Sequence, residues 1–229
     1  MIAFEKLLRR ERPDWVVVVG DVNATCACSI TAKKEHVRLA HIEAGLRSGD
    51  MRMPEEVNRL VTDRLSDLLF TPDRLSGDNL RQEGVPEEKI RFVGNIMIDT
   101  LEAQRSRAAD LQVADIVLGN RKKEQEPPAP FKGEGPFALL TLHRPSNVDD
   151  PAILSEIVHF LTDELATEMP LLWTVHPRTE KQLKAFGLWE QVVSAPQIVT
   201  LQPLGYHDLL RLNMEAALVL TDSGGLQEE

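Results

Sequence analysis

The sequence predicts an α/β fold made of two doubly wound domains with a cleft between them. Short apolar, β-branched runs alternate with amphipathic segments along the chain, a pattern typical of parallel sheets covered by helices on both faces. A charged, Pro- and Gly-rich stretch, "GNRKKEQEPPAPFKGEGP", interrupts the alternation once, after which it restarts. We therefore expect an N-terminal domain over 1–103, a connecting segment and linker over 104–135, and a C-terminal domain over 136–229.

The first half of the chain contains four predicted strands. "EKLLRRERPD" predicts a helix that ends at Pro13, and "WVVVVGD" predicts a buried parallel strand. The helix "NATCACSITAKKEH" and the strand "VRLAHIEAG" follow. The next helix begins at Pro54, and its predicted apolar stripe contains Val57, Leu60, Val61, Leu65, Leu68 and Leu69. "SDLLFTP" then predicts a strand, "DRLSGDNLRQEGV" a helix that ends at Gly84, and "KIRFVGN" a strand.

The second half repeats the same alternation. Strands are predicted at "FALLTLH", "PLLWTVHP", "IVTLQPL" and "ALVLTDSGG". Helices are predicted at "PAILSEIVHFLTDELA", "TEKQLKAFG" and "YHDLLRLNMEA", with a last short helix at "GGLQEE". The first element is a helix rather than a strand, and the last helix stops after about one turn. Both features lead us to expect a fragment of a longer protein, with each domain incomplete.

Composition excludes several classes of protein. The 229 residues carry a net charge of −10, which argues against a protein that binds the phosphate backbone of nucleic acids. No apolar run approaches the roughly 18 residues of a membrane span, and the N-terminus lacks a signal-peptide core. Cys26 and Cys28 are spaced for neither a disulfide framework nor a zinc site. We expect a cytoplasmic protein without a metal.

Polar residues follow four of the predicted strands: Asp21, Glu43, His143 and His176. Ligands of open parallel sheets bind outside the carboxyl ends of the strands. Any one such residue could simply cap a loop, but four together favour a binding site. The His143-Arg144 pair is expected to face the strand ends of Asp21 and Glu43 across the cleft.

Two shorter patterns add candidate residues. The strand-turn-helix junction at Ser223, Gly224 and Gly225 is of the kind that binds phosphate. Glu229 lies about one turn further, where its carboxylate could accept a hydrogen bond from a ribose hydroxyl. The spacing of Glu55 and Arg59 is also that of an ordinary i,i+4 ion pair, which contributes about 0.2–0.5 kcal/mol.

Six segments in order, "GDVNAT", "HIEAGLRSGD", "PEEVNR", "VGNIMIDTL", "LHRPSNVDD" and "LTDSGGLQEE", strongly resemble the non-hydrolysing UDP-N-acetylglucosamine 2-epimerases. The resemblance covers nearly the whole chain. It implies two Rossmann-like domains arranged as in glycosyltransferase-B enzymes, with the nucleotide held mainly by the C-terminal domain. It also implies interconversion of UDP-N-acetylglucosamine and UDP-N-acetylmannosamine without a cofactor, and a homodimeric parent protein.

The resemblance further implies a mechanism and a set of residues. In the family, UDP leaves C1 with loss of the C2 proton, which gives a 2-acetamidoglucal, and UDP then adds back with protonation of the opposite face. Such chemistry needs acid/base groups at both faces of the sugar and cations near the departing UDP. Matched by motif, the catalytic residues are Asp21, Glu43, Glu55 and His143, and the substrate-binding residues are Arg59, Arg144, His176, Ser223, Gly224, Gly225 and Glu229.

The chain departs from the family pattern in three places. The family's opening Gly-Thr-Arg-Pro-Glu loop is absent, "HRPSN" replaces the frequent His-Arg-Arg-Glu-Asn, and Leu209 stands where some members have an aromatic residue near the uracil. Three alternatives stay open: a hydrolysing 2-epimerase, a glycosyltransferase of the same fold, and a non-catalytic UDP-binding fragment. The truncation leads us to expect that the 229-residue chain is inactive alone.

Overall fold

The computed structural model describes residues 1–123, 131 and 134–228. The chain divides into two compact units, Met1–Ile96 and Met97–Glu229. This division lies seven residues before the end of the predicted N-terminal domain at residue 103. Both units have the predicted α/β architecture with parallel strands, so the fold class is confirmed.

Unit 1 contains a four-stranded parallel sheet in the order β1-β2-β3-β4. All four strands were predicted at these places in the sequence. The strands and helices are α1 (Ile2–Glu11), β1 (Trp15–Val19), α2 (Asn23–Lys34), β2 (Arg38–Ile42), α3 (Pro54–Leu65), β3 (Leu68–Thr71), α4 (Arg74–Gln82) and β4 (Ile90–Phe92), with a 3₁₀ turn at Glu87–Lys89.

Strand β1 is not the fully buried strand that its sequence predicts. It is an edge strand of the described sheet, and its residues alternate between exposed and buried. Val16 and Val18 pack into the core with Leu8 of α1, whereas Val17 and Val19 are 57% and 50% exposed. A run of four valines thus fits a strand covered on one face as well as a strand covered on both.

Helix α3 also differs from its predicted orientation. The predicted stripe is wrong, because Val57 is 42% exposed and none of the stripe residues within the helix is buried. The buried residues of α3 are instead Glu56, Asn58, Thr62 and Asp63. The side chains of Glu56, Asn58 and Asp63 hold the loops at the carboxyl ends of β1 and β2, so hydrogen bonding contributes to the orientation of this helix.

Unit 2 contains a second four-stranded parallel sheet, in the order β7-β6-β5-β8. Its elements are α5 (Ile96–Ala109), α6 (Val113–Asn120), β5 (Ala138–Leu142), α7 (Pro145–Val148), α8 (Pro151–His159), a π-helical turn at Phe160–Leu165, α9 (Ala166–Glu168), β6 (Leu171–Val175), α10 (Pro177–Ala185), α11 (Trp189–Ser194), β7 (Ile198–Leu201), α12 (Tyr206–Glu215), β8 (Leu218–Thr221) and α13 (Gly224–Glu228).

The sheet of unit 2 is covered on both faces, as in a doubly wound domain. Leu140 and Trp173 belong to an apolar core on one face, and Leu139 and Leu172 belong to a second core on the other. The strand order reverses between β5 and β8, because β6 and β7 extend the sheet on one side of β5 and β8 lies on its other side. Such a reversal is a topological switch point, where ligands bind in open α/β sheets.

Part of the predicted connecting segment is helical. Val113, Ile116 and Val117 of α6 have helical spacing and are buried in the second core of unit 2. Residues 124–130 and 132–133 of the predicted linker lie outside the described residues. In the part of the chain that the structure describes, no helix has the length and apolar character needed to cross a bilayer.

Candidate active site

The carboxylates at the ends of β1 and β2 lie on neighbouring turns. Asp21 follows Gly20, which has φ +66°, and Glu43 follows β2 with φ +70°. A Cβ atom on Gly20 would lie 3.2 Å from Oε2 of Glu43, so the carboxylate of Glu43 extends toward the turn that carries Asp21. The two strand ends that carry Asp21 and Glu43 therefore lie close together in unit 1.

The left-handed backbone of Glu43 is unusual for a residue with a side chain. Such a conformation costs on the order of 1–3 kcal/mol and persists where the surrounding structure enforces it. Here the amide of Ala44 donates to the carbonyl of Phe70 (3.0 Å), and the amide of Gly45 donates to Asp63 Oδ2 (3.0 Å). Backbone strain of this kind is concentrated at functional sites, which supports a functional role for Glu43.

Arg59 of α3 contacts the Asp21 carboxylate. Its Nη2 and Nε donate to Asp21 Oδ2 at 2.6 and 3.0 Å, and its Nη1 donates to Glu56 Oε2 at 3.0 Å. Arg59 thus pairs with Asp21 and Glu56 rather than with Glu55, its possible i,i+4 partner. Glu55 is half-buried in the first turn of α3, so four carboxylates (Asp21, Glu43, Glu55 and Glu56) and one guanidinium lie at this end of the sheet of unit 1.

Sequence reasoning missed Glu56, whose side chain organises the loop after Glu43. Glu56 is 2% exposed and accepts hydrogen bonds from the amides of Ser48 (2.9 Å) and Gly49 (3.0 Å), from Ser48 Oγ and from Arg59. Burial favours the neutral carboxyl, but these donors outweigh it and lower the pKa of Glu56 to about 2. The ionised Glu56 therefore fixes the loop that links Glu43 to α3.

In unit 2, His143 and Asp222 lie at the switch point between β5 and β8. Asp222 accepts hydrogen bonds from the amides of His143 (2.9 Å) and Arg144 (2.7 Å) and from Asn147 Nδ2 (3.1 Å), and His143 Nδ1 lies 2.9 Å from Asp222 Oδ1. Burial opposes ionisation of Asp222, yet the two backbone donors lower its pKa. Asp222, which was not predicted from the sequence, orients the imidazole of His143.

A cavity of about 210 Å³ opens at this switch point. His143, His176 and Ser223 line it together with apolar residues that include Leu204 and Leu209, and the two imidazole rings are 5.5 Å apart between centroids. Sites for drug-sized ligands typically have volumes of about 300–1,000 Å³, so this cavity has room for only part of such a ligand. His143, His176 and Ser223 were all predicted from the sequence, and the structure brings them together.

His176 also has a structural role, since its Nδ1 caps α10 by accepting the amide of Arg178 (3.1 Å). At the start of α13, Ser223 Oγ lies 3.5 Å from the amide of Leu226, and Gly225 leaves little space beside Met97. Arg144 Nε donates to the carbonyl of Asp222 (3.0 Å). Glu229, predicted to contact the ribose, lies outside the described residues.

A larger opening in unit 1 is not a candidate active site. It has a volume of about 590 Å³ and lies beside the amino end of β2, the end opposite to Asp21 and Glu43. Its lining includes Arg9 and Glu35, which form a bidentate pair at 2.9 Å. The catalytic candidates lie instead at the carboxyl ends of the strands, as expected for an open parallel sheet.

Comparison with known proteins gives one consistent family. The model of the family described as UDP-N-acetylglucosamine 2-epimerase matches residues 1–229. UDP-N-acetylglucosamine 2-epimerase of Methanocaldococcus jannaschii is 40% identical over 234 residues, covering 100% of this chain and 60% of that protein. UDP-2,3-diacetamido-2,3-dideoxy-D-glucuronate 2-epimerase of Pseudomonas aeruginosa is 39% identical over 231 residues, covering 100% of this chain and 59% of that protein.

Solved structures agree with the sequence comparison. The crystal structure of the M. jannaschii UDP-GlcNAc 2-epimerase in complex with UDP-GlcNAc and UDP matches with a TM-score of 0.82 at 38% identity. The match covers 99% of this chain and 60% of that one. The chain thus spans about 60% of the length of the relatives that it matches.

Proposed function

The chain belongs to the UDP-N-acetylglucosamine 2-epimerase family, and on that premise we propose that it carries the site that interconverts UDP-N-acetylglucosamine and UDP-N-acetylmannosamine. The observation that carries the proposal is the group of carboxylates at the strand ends of unit 1, where the backbone of Glu43 is left-handed and Asp21 pairs with Arg59. A proton must leave one face of C2 and return to the other, which requires acid/base groups of this kind.

The proposed reaction proceeds by elimination and re-addition. The C2–H bond of the sugar is not adjacent to a carbonyl group, so simple deprotonation is implausible. Loss of the C2 proton with departure of UDP from C1 gives a 2-acetamidoglucal and UDP. Addition of UDP back to C1, with protonation of C2 from the opposite face, gives the epimer. The reaction is therefore an isomerisation of the non-hydrolysing type and needs no redox cofactor.

Unit 1 supplies the proton transfers in this proposal. Asp21, Glu43 and Glu55 are the acid/base groups, which typically contribute about 10²–10⁴-fold to the rate. The contact of Arg59 with Asp21 orients that carboxylate. Contact of Arg59 with the nucleotide stays a prediction from the family resemblance.

Unit 2 supplies the nucleotide site. As an imidazolium, His143 can donate from Nδ1 to Asp222 and from Nε2 to an oxygen of the diphosphate. Arg144 adds a second cation, and Ser223, Gly224 and Gly225 present hydroxyl and amide donors at the start of α13. These groups would stabilise the charge on departing UDP. His176 lines the same cavity, and Glu229 is proposed as a ribose contact.

Two alternatives to the proposed reaction would give different products: a different UDP-linked sugar as substrate, and hydrolysis of the same substrate. The P. aeruginosa relative, nearly as similar as the M. jannaschii protein, is named for a diacetamido glucuronate sugar, so UDP-linked diacetamido sugars are the second candidate substrate class. A hydrolysing enzyme would release UDP and free N-acetylmannosamine. The family resemblance also carries the proposal of a homodimeric parent, and the composition carries that of a cytoplasmic location.

The test uses a hybrid protein in which this chain replaces the matching segment of the M. jannaschii epimerase. We expect the hybrid to convert UDP-N-acetylglucosamine to a mixture with its manno epimer. Asp21→Asn, Glu43→Gln and Glu55→Gln should each lower kcat about 10²–10⁴-fold while UDP affinity changes little. A folded hybrid that binds UDP but does not epimerise, or variants that lose UDP affinity with kcat intact, would contradict the proposal.

A further inference from the structure

His41 and Asp63 form a buried pair next to the turns that carry Asp21 and Glu43. His41 lies near the end of β2 and Asp63 near the end of α3, and their side chains are each 1% exposed. His41 Nδ1 is 2.6 Å from Asp63 Oδ1, and His41 Nε2 is 3.0 Å from the carbonyl oxygen of Gly20. Neither residue is among the groups to which the proposed mechanism assigns a proton.

The contacts of this pair determine how many protons it holds. The carbonyl of Gly20 can only accept a hydrogen bond, so Nε2 of His41 must carry a proton to donate to it. An Nδ1 lone pair facing the carboxylate of Asp63 at 2.6 Å would be repulsive, so a second proton lies between these two atoms. The simplest arrangement is an imidazolium of His41 paired with an ionised Asp63.

The other contacts of Asp63 fit an ionised carboxylate. Its Oδ2 accepts the amide of Gly45 (3.0 Å) and Nη1 of Arg47 (2.7 Å). Arg47 in turn forms a bidentate pair with Glu83, both contacts at 2.7 Å. Within the fully buried pair, an imidazolium of His41 balances the charge of Asp63, and Arg47 is paired in addition with the exposed Glu83.

The pair connects the two turns that carry the proposed catalytic carboxylates. Through Gly20, His41 holds the residue immediately before Asp21, and through Gly45, Asp63 holds the residue two after Glu43. Gly20 and Glu43 are both left-handed, and they lie close to each other. One ion pair thus holds both left-handed turns, the first through the carbonyl of Gly20 and the second through the amide of Gly45.

We propose that a His41 imidazolium paired with Asp63 is a positioning element that sets the placement of Asp21 relative to Glu43. Its catalytic consequence rests on the proposed epimerase function, whereas the protonation of the pair does not. Neither side chain reaches the substrate in this account. Both act by holding the backbone of the residues that do.

The first test measures the protons of the pair directly. In the 229-residue chain labelled with ¹⁵N in its histidine rings, His41, assigned by loss of its signals in His41→Gln, should show an attached proton on both ring nitrogens at neutral pH. The two N–H signals should be protected from exchange with solvent, because the side chain is buried. A single N–H signal from His41 would overturn the proposed imidazolium.

The second test separates positioning from general stability. Asp63→Asn is compared in the hybrid with Asp67→Asn. The carboxylate of Asp67 likewise accepts hydrogen bonds from a backbone amide (Leu39 N, 2.9 Å) and from a cation (Lys33 Nζ, 2.8 Å), but it lies at the other end of β2. We expect Asp63→Asn to lower kcat at least tenfold with little change in KM, measured where both variants are fully folded. Asp67→Asn should lower the melting temperature without this loss of kcat.

Equal kcat values for the two variants would overturn the positioning role, since a merely structural carboxylate would behave in this way. Asp63→Glu, which keeps the charge on a longer side chain, should recover part of the lost kcat. An unsubstituted hybrid that fails to epimerise would reject the proposed function and the positioning role with it. The protonation of His41 would still be decided by the ring nitrogen signals.

Discussion

The two strand-end regions are supported by buried residues of opposite character. In unit 1, the buried residues of α3 behind Asp21 and Glu43 are Glu56, Asn58, Thr62 and Asp63, all of them polar. In unit 2, every residue of β6 is buried, and Trp173 at its centre is fully buried in an apolar core of sixteen residues. In unit 1 charge and hydrogen bonding therefore position the carboxylates, whereas in unit 2 apolar packing positions the strands and Asp222 orients His143 at their end.

This difference has consequences for how each region responds to perturbation. Geometry held by ionised groups depends on pH, because protonation removes the hydrogen-bond acceptor that holds the loop. Geometry held by apolar packing depends on shape and volume and is nearly independent of pH. We therefore expect acid to loosen the loop held by Glu56 in unit 1 and the turn held by Asp222 in unit 2, while the apolar cores that cover the sheet of unit 2 keep their structure.

The largest expected effect comes from filling the space at Gly45. A Cβ atom there would lie 2.3 Å from the backbone oxygen of Ser76, and Gly45 has φ +85°, so Gly45→Ala strains both the backbone and the packing against α4. We expect a loss of about 3 kcal/mol or more in the free energy of unfolding, measured by urea denaturation.

The matched control for this substitution is Gly49→Ala in the same loop. Gly49 has φ +72°, but no atom lies within 4 Å of the position of its Cβ, so only the backbone strain of about 1 kcal/mol applies. If the two variants are equally stable, the loop is not held against α4 as the structure indicates.

A somewhat smaller effect is expected from Glu56→Gln. The pKa of Glu56 falls from an ordinary value of 4.5 to about 2 on folding, so its ionisation stabilises the fold at neutral pH by about 3 kcal/mol. Because the folded value is the lower one, this contribution is complete above about pH 4.5 and is lost as the pH falls toward 2. Glu56→Gln should therefore destabilise the chain at pH 7 and flatten its pH dependence in this range.

Urea denaturation at a series of pH values measures this effect, and Glu55→Gln is its control on the adjacent, half-buried residue. Hydrogen exchange of the amides of Ser48 and Gly49 locates it, since both donate to Glu56. A Glu56→Gln variant whose stability follows the wild-type pH profile would show that this carboxylate does not hold the loop.

The smallest expected effect lies in unit 2, at His176. His176→Ala removes the cap of α10 and should cost about 1 kcal/mol, whereas His176→Asn supplies another capping side chain and should recover most of it. If the imidazole also contacts the nucleotide, both variants should weaken UDP binding by a similar factor, measured by calorimetry. Unchanged UDP affinity in both would leave His176 with a structural role only.

The regular elements could be predicted from the sequence because their signals are local. The four strands of each unit are short apolar runs, and polar residues at their ends could be recognised one by one, which identified Asp21, Glu43, His143 and His176. Ser223 was found in the same way, from a Gly-Gly turn between a strand and a helix. The parallel arrangement then follows from the alternation with helices.

The supporting residues could not be predicted because their partners are distant in the sequence. Asp63 pairs with His41, 22 residues away, and Asp222 holds His143, 79 residues away. In α3 the apolar periodicity of Val57 and its neighbours gave a misleading orientation, since that method counts apolar residues and ignores buried carboxylates. One signal in the sequence could have identified Glu56, because its carboxylate stands directly next to Glu55 in the segment "PEEVNR".

In the proposed reaction, the carboxylates of unit 1 exchange the proton at C2 while UDP remains the leaving and returning group. The most direct measurement is the reaction of the hybrid with UDP-N-acetylglucosamine in deuterium oxide, followed by NMR and mass spectrometry. We predict one deuterium at C2 of both UDP-linked epimers at equilibrium, and no accumulation of free sugar. Epimer without deuterium at C2, or free N-acetylmannosamine and UDP as the final products, would contradict this account.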